Sequence, residues 1–146
     1  MDNLIAIVRV RGWFGMNPRR RDTLEMLNIP RSNNCTLVHL NESYKGMLHD
    51  VKDYATWGPV GEKFVEKLLM KRGSVNGKRL TLTKSAEEIK KIAKEIVGGK
   101  TPKECGVDRT FRLTPPSGGW KDKKQTKPKG DLGSRESMDV LLATMI

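Results

Sequence analysis

The chain has 146 residues, room for one compact domain with a modest core and little room for two. Lys and Arg total 28 against 17 for Asp and Glu, a net charge of +11. Such an excess opposes compaction, so it points to an anionic partner, with nucleic acid ahead of a membrane surface. The longest aliphatic run is Leu4 to Val8, far short of the ~20 residues of a spanning helix, and no secretory leader is legible. Cys35 and Cys105 lie far apart, with no Cys or His at metal-ligand spacing, so they read as reduced thiols.

Leu4 to Arg11 predicts a first strand, aliphatic at first and then alternating Val and Arg. Gly12 and Gly15 bracket a loop carrying Trp13 and Phe14. Asn17-Pro18 predicts a helix start, because Asn caps and Pro suits the first turn. That helix buries Leu24 and Leu27 and stops near Asn28, ahead of Pro30. Thr36 to Leu40 is a second strand. Tyr44, Met47, Leu48 and Val51 give a second helix one apolar face, and a third strand runs near Asp53 to Trp57. The order is β-α-β-α-β, an α+β sandwich with both helices on one face of a small sheet.

Beyond Gly58-Pro59, Phe64, Val65, Leu68 and Leu69 mark a helix. Asn76-Gly77 signals a small hairpin between Val75 and Leu80. Ser85 to Glu88 fits a capping box; Ile89, Ile92, Ile96 and Val97 form the apolar face behind it, and Gly98-Gly99 ends that helix. Arg109 to Leu113 predicts a short strand stopped by Pro115-Pro116. From Ser117 to Gly133 only Trp120 and Leu132 are large and apolar, which predicts a disordered basic arm. Met138, Leu141, Leu142 and Met145 predict a terminal helix.

Two features carry chemistry. Arg19, Arg20 and Arg21 fall in the first turn of a helix, where the dipole disfavours cations by ~0.3–1 kcal/mol each. Three arginines beside unpaired backbone N–H groups make sense as a phosphate site; otherwise they are a solvated basic face. Lys121, Lys123, Lys124, Lys127 and Lys129 surround Trp120, lysines for phosphates and an indole for stacking, against a plain solubilising tail. Trp13 and Phe14 fit either a second stacking pair or the core. Catalytic motifs are poor. Gly73 to Arg79 has one residue too few between its glycines for a phosphate loop, and Arg where Ser or Thr is needed. His49 and Asp50 are adjacent on a helix and do not face each other. No carboxylate cluster suggests a metal, so neither an enzyme, a cofactor nor a small-molecule substrate is expected.

The first 58 positions resemble the ribosomal large-subunit protein thirty family. The resemblance is carried by Arg9-Val10-Arg11-Gly12, the Pro18-to-Arg21 helix start, Thr23-Leu24 with Leu27 and Ile29, and Arg31 with Asn33, Asn34, Thr36 and Val38. Lys45-Gly46-Met47 and Val51-Lys52-Asp53-Tyr54 complete it. Phe111-Arg112-Leu113, Pro115-Pro116 and Gly118-Gly119 resemble the C-terminal signature of the archaeal and eukaryotic branch. The family usually has Gly where this chain has Asn28, which can take the same left-handed turn.

The resemblance implies a loosely ferredoxin-like core (1–58). It also implies an extension (59–146) with a helical insertion and a basic C-terminal part ending in a helix, the whole forming one compact domain. It further implies a structural constituent of cytoplasmic ribosomes, lying against large-subunit rRNA and neighbouring large-subunit proteins. The alternative is a free-standing RNA chaperone or regulator using the same basic surface. By position the family's RNA-facing residues correspond to Arg11, Arg19, Arg20, Arg21, Arg31, Asn33 and Lys52. Trp13, Lys45, Arg112, Trp120 and the five arm lysines complete the expected RNA contacts.

Overall fold

The computed structural model describes residues 4–12, 15, 17–120, 132–135 and 138–146. Strand β1 (Leu4–Arg9) is buried at every position, which explains why it reads as an aliphatic run. Ile5 and Ile7 face one layer of the protein, whereas Leu4, Ala6 and Val8 face another.

Helix α1 (Pro18–Met26) starts as its sequence predicts, with Asn17 Oδ1 accepting from the Arg19 amide at 3.0 Å. Leu24 and Leu27 are buried, and Asn28 ends the helix at φ +63°. Strand β2 (Asn34–His39) follows, then helix α2 (Glu42–Asp50), which Asn41 caps through the Tyr44 amide. Strand β3 (Ala55–Pro59) begins two residues later than expected. The Tyr54 carbonyl accepts from the Val10 and Arg11 amides, so Asp53 and Tyr54 form the turn into the strand.

Helix α3 (Glu62–Arg72) leads to the hairpin β4 (Ser74–Val75) and β5 (Lys78–Arg79). Asn76 and Gly77 both take positive φ there, as a two-residue hairpin turn requires. A short helix α4 (Leu80–Thr83) precedes α5 (Ala86–Val97), whose Ser85–Glu88 capping box is formed in both directions. Strands β6 (Phe111–Arg112) and β7 (Gly133–Ser134) and helix α6 (Asp139–Met145) complete the chain.

The sheet order is β6-β2-β1-β3-β7. Strand β1 runs antiparallel to β2 and β3; β6 is antiparallel to β2, and β7 is parallel to β3. Both edge strands therefore come from the second half of the chain. Helices α1 and α2 cover one sheet face through Leu24, Leu27, Leu48 and Val51. Helices α3, α5 and α6 cover the other through Leu68, Ile92, Ile96, Leu142 and Met145. The fold is α+β and loosely ferredoxin-like, with the extension supplying a third layer.

The stretch from Ser117 to Gly133 departs from expectation at both described ends. The Ser117 amide donates to the Thr144 carbonyl at 3.2 Å, and Trp120 is half-buried against the core formed with α3, α5 and α6 instead of lying open to water. Leu132 is buried, and the next two residues pair with β3. One apolar side chain suffices here because a β ladder fixes the backbone beside it. The approach of this segment requires Gly58: a Cβ there would lie 2.7 Å from the Arg135 carbonyl oxygen.

Gly46 is the opposite case. It lies in the exposed middle of α2, a position that suggests a close approach of backbone to sheet or RNA, yet an added Cβ would meet nothing within 4 Å. No sheet contact requires glycine there. Gly46→Ala is expected to raise stability by about 0.5–1 kcal/mol, read as an upward shift in melting temperature.

Candidate nucleic-acid interface

The loop after β1 and the first turn of α1 meet at one end of the sheet. There the Arg11 guanidinium lies 5.2 Å from the centre of the Tyr54 ring, and that of Arg20 lies 5.9 Å from it. Arg11 Nη1 also reaches the Asp53 carbonyl at 3.5 Å. Both cations lie within cation–π range of the ring, and guanidinium N–H groups are donors that match phosphate oxygens. Arg19 Nη2 is 3.7 Å from Asp50 Oδ2, with the arginine side chain 81% exposed. An ion pair so exposed is worth ~0–1 kcal/mol and yields readily to a phosphate. Arg21 is exposed on the same turn, which carries no acid at all. Four of the sequence-predicted residues thus converge on one arginine pole.

Arg9, two positions before Arg11, does something different. It is 1% exposed, and its side chain donates to the Arg11 carbonyl at 3.0 Å and to the carbonyls of Ile29 and Pro30. Burial draws the guanidinium pKa below the ordinary arginine value, an effect that Glu25 partly offsets. Arg9 thereby ties the end of β1 to the loop after α1 and holds the pole's floor. The alternation of Val and Arg in the sequence gives no sign of this burial.

Asn33 takes φ +65°, and its amide donates to the Arg9 carbonyl at 2.7 Å. Its half-buried position in a left-handed turn gives asparagine a conformational reason to be there. Next to it opens a groove of about 1220 Å³ between the α1–β2 connection, the β4–β5 hairpin and residues 103–112. Arg31 and Arg112 line it, together with Lys71, Arg72, Arg79, Lys103 and Arg109. The last five escape sequence reasoning, because no local pattern joins them and only the tertiary fold brings them together.

The one acid among the described residues of the groove wall, Asp108, is engaged by the hairpin. Its carboxylate accepts from Ser74 Oγ at 2.8 Å and from the Asn76 and Gly77 amides at 3.1 Å. Burial pushes this carboxyl up, but the three hydrogen bonds and the nearby Arg112 charge outweigh it and hold the pKa below the usual aspartate value.

Lys45 and Lys52 lie elsewhere, around a cleft of about 490 Å³ shared with His49, Trp57 and Leu132. Lys45 pairs with Glu42 at 3.4 Å. Trp13, Lys121, Lys123, Lys124, Lys127 and Lys129 lie outside the described residues.

The thiols offer no activated nucleophile. Burial pushes Cys35 up to about 12, and burial together with Glu95 raises Cys105. Among the described residues, no group of three or more His, Cys, Asp or Glu side chains could hold a metal ion. No helix among them is long and apolar enough to cross a membrane.

Residues 5–55 match the family described as ribosomal protein L30p/L7e. Along almost the whole chain, the sequence is 36% identical to large ribosomal subunit protein uL30 of Methanothrix thermoacetophila, over 97% of this chain and 99% of that one. The protein of the same name from Nanoarchaeum equitans is 40% identical, over 90% and 91% of the two chains. The chain belongs to the ribosomal protein L30p/L7e family. It has the family's long, archaeal-type form, as a further relative from Korarchaeum cryptofilum shows: 37% identity over 98% of this chain and 95% of that one. The family match runs from the second residue of β1 to the first of β3, and so contains the whole arginine pole. The full-length relatives extend the likeness through the groove and the outer helices.

Proposed function

We propose that this chain is a structural constituent of the large ribosomal subunit that binds and stabilises large-subunit rRNA. The observation that carries this reading is its near-full-length similarity to archaeal large-subunit proteins. The arginine pole supplies the physical means. Arg11, Arg19, Arg20 and Arg21 stand together at the start of α1, where folding alone favours acids. They serve as phosphate contacts beside the helix N–H groups. Lys45, Lys52 and the basic arm of Lys121, Lys123, Lys124, Lys127 and Lys129 extend the contact, with neighbouring large-subunit proteins alongside. The role is one of binding, without catalysis, cofactor or small-molecule substrate, in cytoplasmic ribosomes. The extension (59–146) serves as part of the same domain as the 1–58 unit, because its two edge strands complete the shared sheet.

Sedimentation of lysate in moderately high salt tests this reading. The protein is expected to remain with the large subunits. Complete release into the soluble fraction, with RNA binding retained in isolation, would instead mark a free-standing RNA chaperone.

A further inference from the structure

The arginine pole accounts for one end of α1, whereas the basic groove begins at its other end, at Asn28. A nine-residue helix separates them, about 13 Å of rise. From this arrangement we infer that the groove is a second, separate nucleic-acid site, which takes the phosphodiester backbone of another RNA segment. The inference rests on the reading of the chain as an rRNA-binding protein and adds a second point of attachment to it.

Charge and shape both support this. Among the described residues of the groove, seven are cations, and the one carboxylate is turned inward to hold the hairpin. Among the described residues, none of Lys71, Arg79, Lys103 and Arg109 has an ion pair within 4.0 Å, and all four are exposed. Folding therefore gives no local reason for their convergence, whereas a polyanion neutralised by them would release its counterions and bind tightly at low salt. The walls are fixed. Asp108 holds the hairpin by side chain and by its own amide, which donates to Ser74 O at 2.8 Å. Thr110 Oγ1 donates to the Asn28 carbonyl at 2.7 Å, closing the groove floor onto the end of α1. An open trough with rigid basic walls suits a continuous phosphate chain better than a small anion, which it would not enclose.

The test uses the full chain, a generic 20-base-pair RNA duplex and a 20-residue polyglutamate peptide. Two variants are compared with the unaltered protein: K71Q/R79Q/K103Q/R109Q for the groove and R19Q/R20Q/R21Q for the pole. Matching melting temperatures check that each has folded. The groove variant is expected to bind the duplex with a log–log salt slope shallower by about 2–4, and combining both variants should reduce the slope additively. An unchanged slope in the groove variant, with the pole variant impaired, overturns the second site and leaves the proposed function standing. Loss of polyglutamate binding alone would also overturn it, by assigning the groove to an acidic protein segment. Unchanged duplex binding in every variant would remove the RNA-binding reading itself. D108N separates shape from charge: it raises net charge, yet by loosening the hairpin it is expected to weaken duplex binding severalfold. Tighter binding would contradict a preformed groove.

Discussion

Replacing Arg19, Arg20 and Arg21 together by glutamine is expected to make the salt dependence of large-subunit rRNA binding markedly shallower. Each arginine–phosphate pairing that is removed reduces the log–log slope by ~0.7–0.9, so the triple change lowers it by about 2–3. Affinity should fall most at low salt, where counterion release contributes most. The structure also sets what this substitution does to folding. Taking three cations from the positive end of α1 gains ~0.3–1 kcal/mol each. Against that stand the cation–π contact of Arg20 with Tyr54, worth ~0.5–1 kcal/mol, and the exposed Arg19–Asp50 pair, worth ~0–1 kcal/mol. These contributions nearly cancel, so the melting temperature should move by only a few degrees. Weakened binding by a variant of unchanged stability is the signature of arginines that pair with phosphates; a steep fall in melting temperature would make them structural.

Phe111→Ala is expected to cost about 3–5 kcal/mol, a large share of the stability of a domain this size. Phe111 is fully buried, lies opposite Cys35 in the sheet, and packs in the same core as α3, α5 and α6. Denaturant titration should show one cooperative transition, at lower midpoint, by both fluorescence and circular dichroism. Two separated transitions would mean that the 1–58 unit and the extension fold independently. The substitution also removes the anchor beneath Arg112 and the groove wall, so RNA binding at the groove should weaken with it.

The elements legible in the sequence are those fixed by neighbours along the chain. Asn17-Pro18 starts α1 because capping and proline geometry act within one turn, and Asn28 ends it by taking a left-handed conformation. The Ser85–Glu88 capping box and the Asn76-Gly77 turn are equally local. The arginine pole is legible for the same reason, since three consecutive cations at a helix start conflict with the dipole. What escapes depends on distant partners. Arg9 reads as one more surface cation until Ile29 and Pro30 supply carbonyls around it. Trp120 sits in a stretch too polar to form a core and packs on one already built by α3, α5 and α6, whereas Leu132 is buried beside β3, where it lines the cleft with Leu48 and Trp57. The groove draws its cations from α3, the hairpin and the 103–112 loop, and no periodicity links these.

The start of α1 is expected to lie on large-subunit rRNA. Protein–RNA cross-linking within purified large subunits, read at nucleotide resolution, tests it most directly. Photo-reactive groups placed in turn at Arg19, Arg20 and Arg21 should each give a cross-link to large-subunit rRNA, clustered on one short stretch of nucleotides. Cross-links that go only to neighbouring proteins, or that appear on rRNA only from positions remote from the pole, would contradict it.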